Sequence, residues 1–212
     1  MAGDRRGRLT CTLAAPTVEN VDQTQVLDAA DLRLAPPEEF VTALLSLREA
    51  NPDPVVKFRE VPAPSGLAPF AAAVEMIVEA PGVERPVGEG TLVILFDPDE
   101  GDVWNLGLRL VGYARMEIDA DQSVDPLLGE VIWQTLVGNL EALGADPLAL
   151  SGTVTRELSE SFGGLELGRA SLIAELRCSW SPETLDLSGH LEGWGETLRQ
   201  NAGVSPSNVT TP

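Results

Sequence analysis

The stretch from Leu150 to Ser181 constrains the fold more than any other part of the sequence. It begins with the β-branched run Thr153–Thr155, and it ends with apolar residues at every second position, separated by Glu175 and Arg177 among others. β-Branched residues and a period of two are typical of strands with one buried face. The glycines between the two parts can adopt the positive φ angles that a turn requires. The stretch therefore predicts an antiparallel hairpin in a half-buried sheet.

Three segments predict helices that each have one apolar face. The first begins at Pro36–Glu39, because proline fits the first helical turn and acidic residues there complement the helix dipole. The second begins with Asp125 as N-cap and ends at Gly144. The third follows Pro182; its glycines weaken it, so we expect packing on the sheet to hold it. The predicted apolar positions are Phe40, Val41, Leu44, Leu45 and Leu47, then Leu128, Val131, Ile132, Leu136, Leu140 and Leu143, then Leu187, Leu191, Trp194 and Leu198.

Four further strands are predicted ahead of the hairpin. The first, Val55–Glu60, is placed at a sheet edge because a proline-rich connector follows it. Ala71–Glu79 and Gly90–Asp97 pair as neighbours, and the second is placed centrally because it is apolar on both faces. Trp104–Asp119 alternates over its whole length, and Gly112 within it predicts a bend or a bulge.

The order α-β-β-β-β-α-β-β-α predicts an α+β two-layer sandwich. We expect a mainly antiparallel sheet of five to six strands with three helices on its apolar face. The order is similar to that of type III secretion chaperones, a likeness of fold that does not determine function. Residues 1–34 have no sustained apolar period and predict a disordered or loosely attached arm. Residues 35–203 form the single predicted domain, and residues 204–212 form a disordered polar tail.

Several motifs also carry a family resemblance. The segments Ser151–Arg156 (SGTVTR), Ser159–Gly164 (SESFGG) and Glu175–Pro182 (ELRCSWSP) resemble the central signature of an actinobacterial family, the domain-of-unknown-function family number three thousand. The resemblance covers about residues 36 to 204. It implies membership of that family, and it implies no activity, cofactor or site residue.

Composition and charge restrict the classes of partner. The 212 residues include 33 acidic and 14 basic ones, a net charge of −19 at pH 7. Such a charge repels nucleic-acid phosphates and anionic lipids, so direct nucleic-acid binding is disfavoured. No apolar run approaches the length of a membrane span. Cys11 and Cys178 lack metal-ligand or redox spacing, and the apolar run near the start is too short for a signal peptide. We therefore expect a cytoplasmic protein without a cofactor or metal.

The first candidate site is the sheet face opposite the apolar rows. Arginine and aromatic side chains recur there, and interface centres are enriched in both. This pattern predicts a binding face for an unidentified protein partner or for a second copy of the chain. Cross-strand ion pairing on a solvated face is an alternative explanation. The candidate residues are Arg109, Tyr113, Arg115, Glu117, Glu175 and Arg177.

The second candidate site is a pocket between sheet and helices, with Arg156, Gly163, Gly164 and His190 at its mouth. His190 is the sole histidine, so a Ser–His or Cys–His dyad would have to use it. No nucleophile elbow or phosphate-binding loop accompanies it, and the acidic turn 97–102 lacks the spacing of an EF-hand. The sequence therefore favours a non-catalytic protein-interaction, chaperone-like or adaptor-like module. A small enzyme or small-ligand-binding domain is the alternative.

Overall fold

A computed structural model describes residues 35–118, 122, 125–160 and 171–207 of the chain. The predicted arm at residues 1–34, the candidate glycines 163 and 164, and residues 208–212 lie outside the described residues. The helices and strands are α1 Glu38–Ser46, β1 Val56–Val61, β2 Phe70–Val78, β3 Gly88–Phe96, β4 Leu108–Ile118, α2 Leu128–Ala142, β5 Pro147–Ser159, β6 Ser171–Pro182 and α3 Ser188–Asn201.

The six strands form one antiparallel sheet in the order β1-β2-β3-β4-β6-β5. This confirms the α+β class and the predicted element order. It also confirms β1 as an edge strand and β3 as a central one. Within β3, Leu92 and Ile94 are buried toward one face, while Val93 and Leu95 are buried toward the other. Burial on both faces explains why this strand reads as a continuous apolar run.

All three helices contribute to one core on a single face of the sheet. That core joins Phe40 of α1, Ile132 of α2 and Leu191 of α3 to the inward rows of the strands. Trp194 of α3 is fully buried within this core. Since every helix uses this face, the opposite one, which we call the open face, has no helix on it among the described residues.

Of the bend or bulge predicted at Gly112, the bulge is absent. β4 pairs with β3 and β6 in unbroken register through this residue. A Cβ at Gly112 would lie 2.7 Å from Cη2 of Trp194, closer than side-chain atoms can approach. Glycine is therefore required here because the indole of α3 packs directly on the backbone of β4.

A small apolar cluster covers one part of the open face. Ala73, Val93 and Leu95 are buried there beneath Ala63 of the β1–β2 connector and Trp104, among other partly buried residues. The remainder of the open face, over β4, β6 and β5, carries polar and charged side chains. The predicted binding residues lie in this second part.

The predicted apolar stripes of the first two helices were too wide. Leu45 in α1, and Val131 and Leu143 in or beside α2, are exposed, while Ala43 is buried. In α2 the buried residues are Leu128, Ile132, Leu136 and Leu140, a row with a period of four. The predicted stripe of α2 included residues spaced three as well as four apart, which lie on neighbouring rows of the helix surface. Packing against α3 and the sheet buries only one of these rows.

Two predicted boundaries were also displaced. β4 begins at Leu108 instead of Trp104, because residues 105–107 form a 3-10 turn in which Leu106 has a φ of +56° and is exposed. Asp125 is not the N-cap of α2, since the helix begins at Leu128. Its carboxylate instead accepts the N–H of Leu127 at 2.8 Å, in a turn that precedes the helix.

The packed part of the chain continues past α3 into the first residues of the predicted tail. Val204 is buried in the core. Beyond it, the backbone N–H of Ser207 donates to the carboxylate of Asp53 at 2.9 Å. These contacts hold residues 204–207 against the start of β1.

Candidate protein-binding face

Four candidate residues meet on the open face where β4 pairs with β6. Tyr113 lies directly opposite Arg177 in the register, and Arg115 lies opposite Glu175. Side chains alternate along both strands, and the intervening residues are buried beneath the helices. The alternation therefore brings these four side chains together on the open face. We refer to them as the Tyr113 cluster.

Glu175 is the centre of the Tyr113 cluster. The Tyr113 hydroxyl donates to Glu175 Oε1 at 3.1 Å, and Arg115 donates to the same oxygen at 3.5 Å. Arg177 donates to the other oxygen, Oε2, at 3.0 Å. Arg177 also lies over the Tyr113 ring, with its guanidinium carbon 5.4 Å from the ring centroid. Each member of the cluster is thus held by another member.

Two arginines share a single carboxylate in this cluster, so its local charge is positive. Arg109 on the same strand adds a further cation, which donates to the Ser179 hydroxyl at 2.7 Å and whose pKa is lowered by partial burial. Partial burial, together with the hydrogen bond to Glu175, raises the pKa of Tyr113 above its ordinary value. The phenol therefore stays protonated and neutral at physiological pH.

The cluster is accessible to a partner. The side chain of Arg177 is 66% exposed and that of Arg115 is 43% exposed. Tyr113 as a residue is 36% exposed, so its ring can also be reached from solvent. Only Glu175, the residue that orients the other three, is mostly covered.

Glu117, the remaining candidate on this face, belongs to a different pair. It lies two residues beyond Arg115 on β4 and forms an ion pair with Arg85, on the connection between β2 and β3. Farther along the sheet, Arg59 and Glu75 pair across β1 and β2. Exposed pairs of this kind contribute little to stability. Glu89, directly opposite Arg115 on β3, is a further exposed acid on this face, and Arg109 on β4 offsets its charge.

Arg156 and His190, the two residues of the predicted pocket that the structure describes, are not brought together. Arg156 lies on the helix side of β5 and donates to the Asp125 carbonyl at 2.7 Å. It is opposite Ala174 in the register, six residues along β6 from Trp180, which contacts His190. Six residues of strand span about 20 Å. A surface depression of about 450 Å³ beside Pro54 and Glu84, and one of about 480 Å³ beside Leu127 and Gln134, are lined by neither Arg156 nor His190.

His190 is buried at the start of α3 and serves as a hydrogen-bond acceptor. Its Nδ1 accepts the indole N–H of Trp180 at 3.0 Å. Burial lowers the pKa of His190 to about 4, against the opposing effect of the carboxylates of Asp186 and Asp146. The imidazole is therefore neutral at physiological pH, and its contact with a buried tryptophan accounts for its position.

Cys178, the one cysteine among the described residues, is also buried. Desolvation raises the pKa of its thiol to about 12. A thiolate is the nucleophilic form of cysteine, so Cys178 is unreactive at neutral pH. Across residues 35–118, 122, 125–160 and 171–207, no group of three histidine, cysteine or acidic side chains is placed to hold a metal ion.

We expect Cys178 to resist alkylation in the folded protein. In a Cys11→Ser variant, Ellman's reagent should detect less than about a tenth of a thiol per chain at pH 7.5, and one full thiol in guanidinium chloride, because burial blocks both access and ionisation. Rapid native labelling of this variant, at a rate close to that of free cysteine, would contradict the described packing of β6.

The chain is an α+β two-layer protein in which helices cover one face of the sheet and leave the other face open. The chain belongs to the family described as Protein of unknown function (DUF3000), whose family model matches residues 36–210. The resemblance found in the hairpin motifs is thereby confirmed. No curated protein and no solved structure matches the chain. No helix in the described ranges is both long and apolar enough to cross a membrane.

Proposed function

We propose that this protein is a non-catalytic, cytoplasmic protein-interaction module of the adaptor kind, which binds an acidic segment of a partner protein on the Tyr113 cluster. The observation that carries the proposal is an accessible group of two arginines and a tyrosine around one carboxylate, in a chain whose net charge is −19. A positive site on an acidic protein selects an acidic segment by local complementarity.

The chemistry of the cluster favours a protein ligand. Guanidinium groups bind carboxylates with two parallel hydrogen bonds, and the Tyr113 ring offers apolar area beside them. Arginine and tyrosine are the residue types most enriched where binding energy concentrates in protein interfaces. A nucleic acid carries many phosphates beyond the reach of this small cluster, and the rest of the acidic chain would repel them.

The cluster is also ordered before a partner binds. Tyr113 and Arg115 lie on β4, and Glu175 and Arg177 lie on β6, each strand being hydrogen-bonded on both sides. Glu175 fixes both arginines through its two oxygens. Binding therefore costs less side-chain entropy than it would with free arginines, which improves affinity for a given contact area.

Charge reversal of the cluster should abolish binding. We expect tagged wild-type protein, expressed in its native host, to retain specific partners that the double variant Arg115→Glu/Arg177→Glu loses at least tenfold, because two attractive groups become repulsive. The measurement is quantitative mass spectrometry of affinity-purified material. A photo-crosslinking residue placed at Thr91, opposite Tyr113 on β3, should label an acidic peptide of the same partner.

The control is Thr42→Glu/Arg48→Glu/Gln134→Glu, which makes the same change in net charge at exposed positions on the helix side of the sheet. It should retain the partners of the wild type. An identical set of partners for the wild type and the cluster variant would refute the proposed binding site. Crosslinks to nucleic acid instead of peptide would refute the proposed class of partner.

A further inference from the structure

The two edges of the sheet differ in how they are protected. β1 is six residues long, with Pro54 just before it and Pro62 directly after it. Its exposed side chains include Lys57 and Arg59. A short strand, adjacent prolines and edge lysines are the usual means by which proteins prevent an edge from pairing with another chain. The β1 edge is therefore closed to further pairing.

β5 at the opposite edge lacks the short length, the adjacent prolines and the lysine along its regular part. From Ser151 to Ser159 it pairs with β6 for nine residues without a register shift. This segment contains no proline and no lysine, and its charged residues are Arg156 and Glu157. Within the described part of the chain, no strand pairs with its outer side. A long, regular edge of this kind is a template for another strand.

The side chains of β5 fit a second copy of the same strand. In an antiparallel pair related by a twofold axis through Val154, Thr153 lies opposite the partner's Thr155, and Leu158 lies opposite the partner's Leu150. No charged side chain faces a like charge, since Arg156 lies opposite Gly152 and Glu157 opposite Ser151. Threonine pairs and apolar pairs stabilise antiparallel sheets, and the pairing keeps each side chain on its own face.

We propose that two copies of this chain associate through β5 to form one continuous antiparallel sheet of twelve strands. The pairing satisfies the outer backbone groups of β5 and covers Leu158, which is 50% exposed in the single chain. The inference depends on β5 alone and does not require the proposed partner of the Tyr113 cluster. It would place two such clusters on one shared open face.

The repulsion between two acidic chains does not prevent this contact. β5 itself carries one charge of each sign from Ser151 to Ser159. At an ionic strength of about 0.15 M, exposed charges more than about 8 Å apart are largely screened. Association should therefore be measured at this ionic strength.

The test is the mass of the full chain by size-exclusion chromatography with light scattering at about 50 µM. Wild type should show twice the chain mass of 22.5 kDa. Thr153→Glu/Thr155→Glu should show the mass of one chain, because both exposed positions then place carboxylates opposite each other. Mixing this variant with Thr153→Arg/Thr155→Arg should restore the doubled mass as a heterodimer, which also shows that both variants fold.

A matched control adds two acids elsewhere. Val83→Glu/Val103→Glu, at exposed positions outside β5, should keep the doubled mass. A wild-type chain that remains a monomer would overturn the proposal. So would a doubled mass that persists in the Thr153→Glu/Thr155→Glu variant, or the absence of a heterodimer from the mixed variants.

Discussion

The variant Gly112→Ala should lose about 3 kcal/mol of its free energy of unfolding. Its new methyl group would lie 2.7 Å from the indole of Trp194, which is fully buried. Overpacking a core usually costs about 1–3 kcal/mol, and the upper end applies because the clash is with a rigid ring over a central strand. Equilibrium unfolding in urea, followed by circular dichroism, measures the loss.

The matched control is Gly138→Ala on the exposed side of α2, where an added Cβ has no atom within 4 Å. This variant should gain about 0.5–1 kcal/mol, since alanine is a better helix former than glycine. In the double variant Gly112→Ala/Trp194→Phe, the smaller ring leaves room for the methyl group. The double variant should therefore lose at least about 1 kcal/mol less free energy of unfolding than the sum of the losses of the two single variants. A Gly112→Ala variant as stable as wild type would show that the indole does not pack there.

Alternation along the strands made the sheet predictable. Burial beneath a helix layer requires an apolar residue at every second position, and β4 and β6 show this along their length. β3 is apolar at consecutive positions because it has a helix-covered core on one side and the smaller cluster around Val93 on the other. Short antiparallel connections then place β1 to β4 beside one another in chain order, whereas the connection through α2 leaves β6 between β4 and β5.

Features that depend on distant contacts were not predictable. Gly112 reads as a bulge in isolation, and its true role depends on Trp194, which lies far along the chain on α3. Similarly, the α2 pattern contains Val131 beside the row of Ile132, and only the position of α3 and the sheet determines which row is buried. The turn around Leu106 continues the apolar alternation of β4, so the sequence shows no break there.

For the candidate site, the sequence predicted which residues share a face of the sheet but not which of them are in contact. Alternation alone assigns Tyr113, Arg115, Glu175 and Arg177 to one face, but the contacts among them need the register of β4 against β6. Ser179, which accepts a hydrogen bond from Arg109, has the parity of Arg177 and could have been found from it. The ion-pair partner of Glu117 could not be found in this way. Arg85 lies on an irregular connection, where no strand alternation predicts the direction of a side chain.

The buried pair of Trp180 and His190 should make the stability of the protein fall steeply as the pH is lowered from about 6.5 to about 4. In the unfolded chain His190 titrates near its ordinary pKa of 6.5, while in the folded protein burial lowers that pKa to about 4. Between these values the unfolded state binds a proton that the folded state excludes. The free energy of unfolding should therefore fall by up to about 1.4 kcal/mol per pH unit, or about 3 kcal/mol across the window. Above pH 6.5 this contribution is fully present.

The variant His190→Asn isolates the effect, because its side-chain oxygen can replace Nδ1 as acceptor of the Trp180 N–H but does not titrate. Both proteins should lose stability at still lower pH, where carboxylates such as Glu196, whose pKa is lowered chiefly by its hydrogen bond from Arg199, become protonated. Urea unfolding at intervals from pH 4 to pH 8 gives the difference between the two proteins. That difference should change by about 3 kcal/mol between pH 4 and pH 6.5 and stay constant above pH 7. Parallel curves over the whole range would show that His190 is not buried in its neutral form.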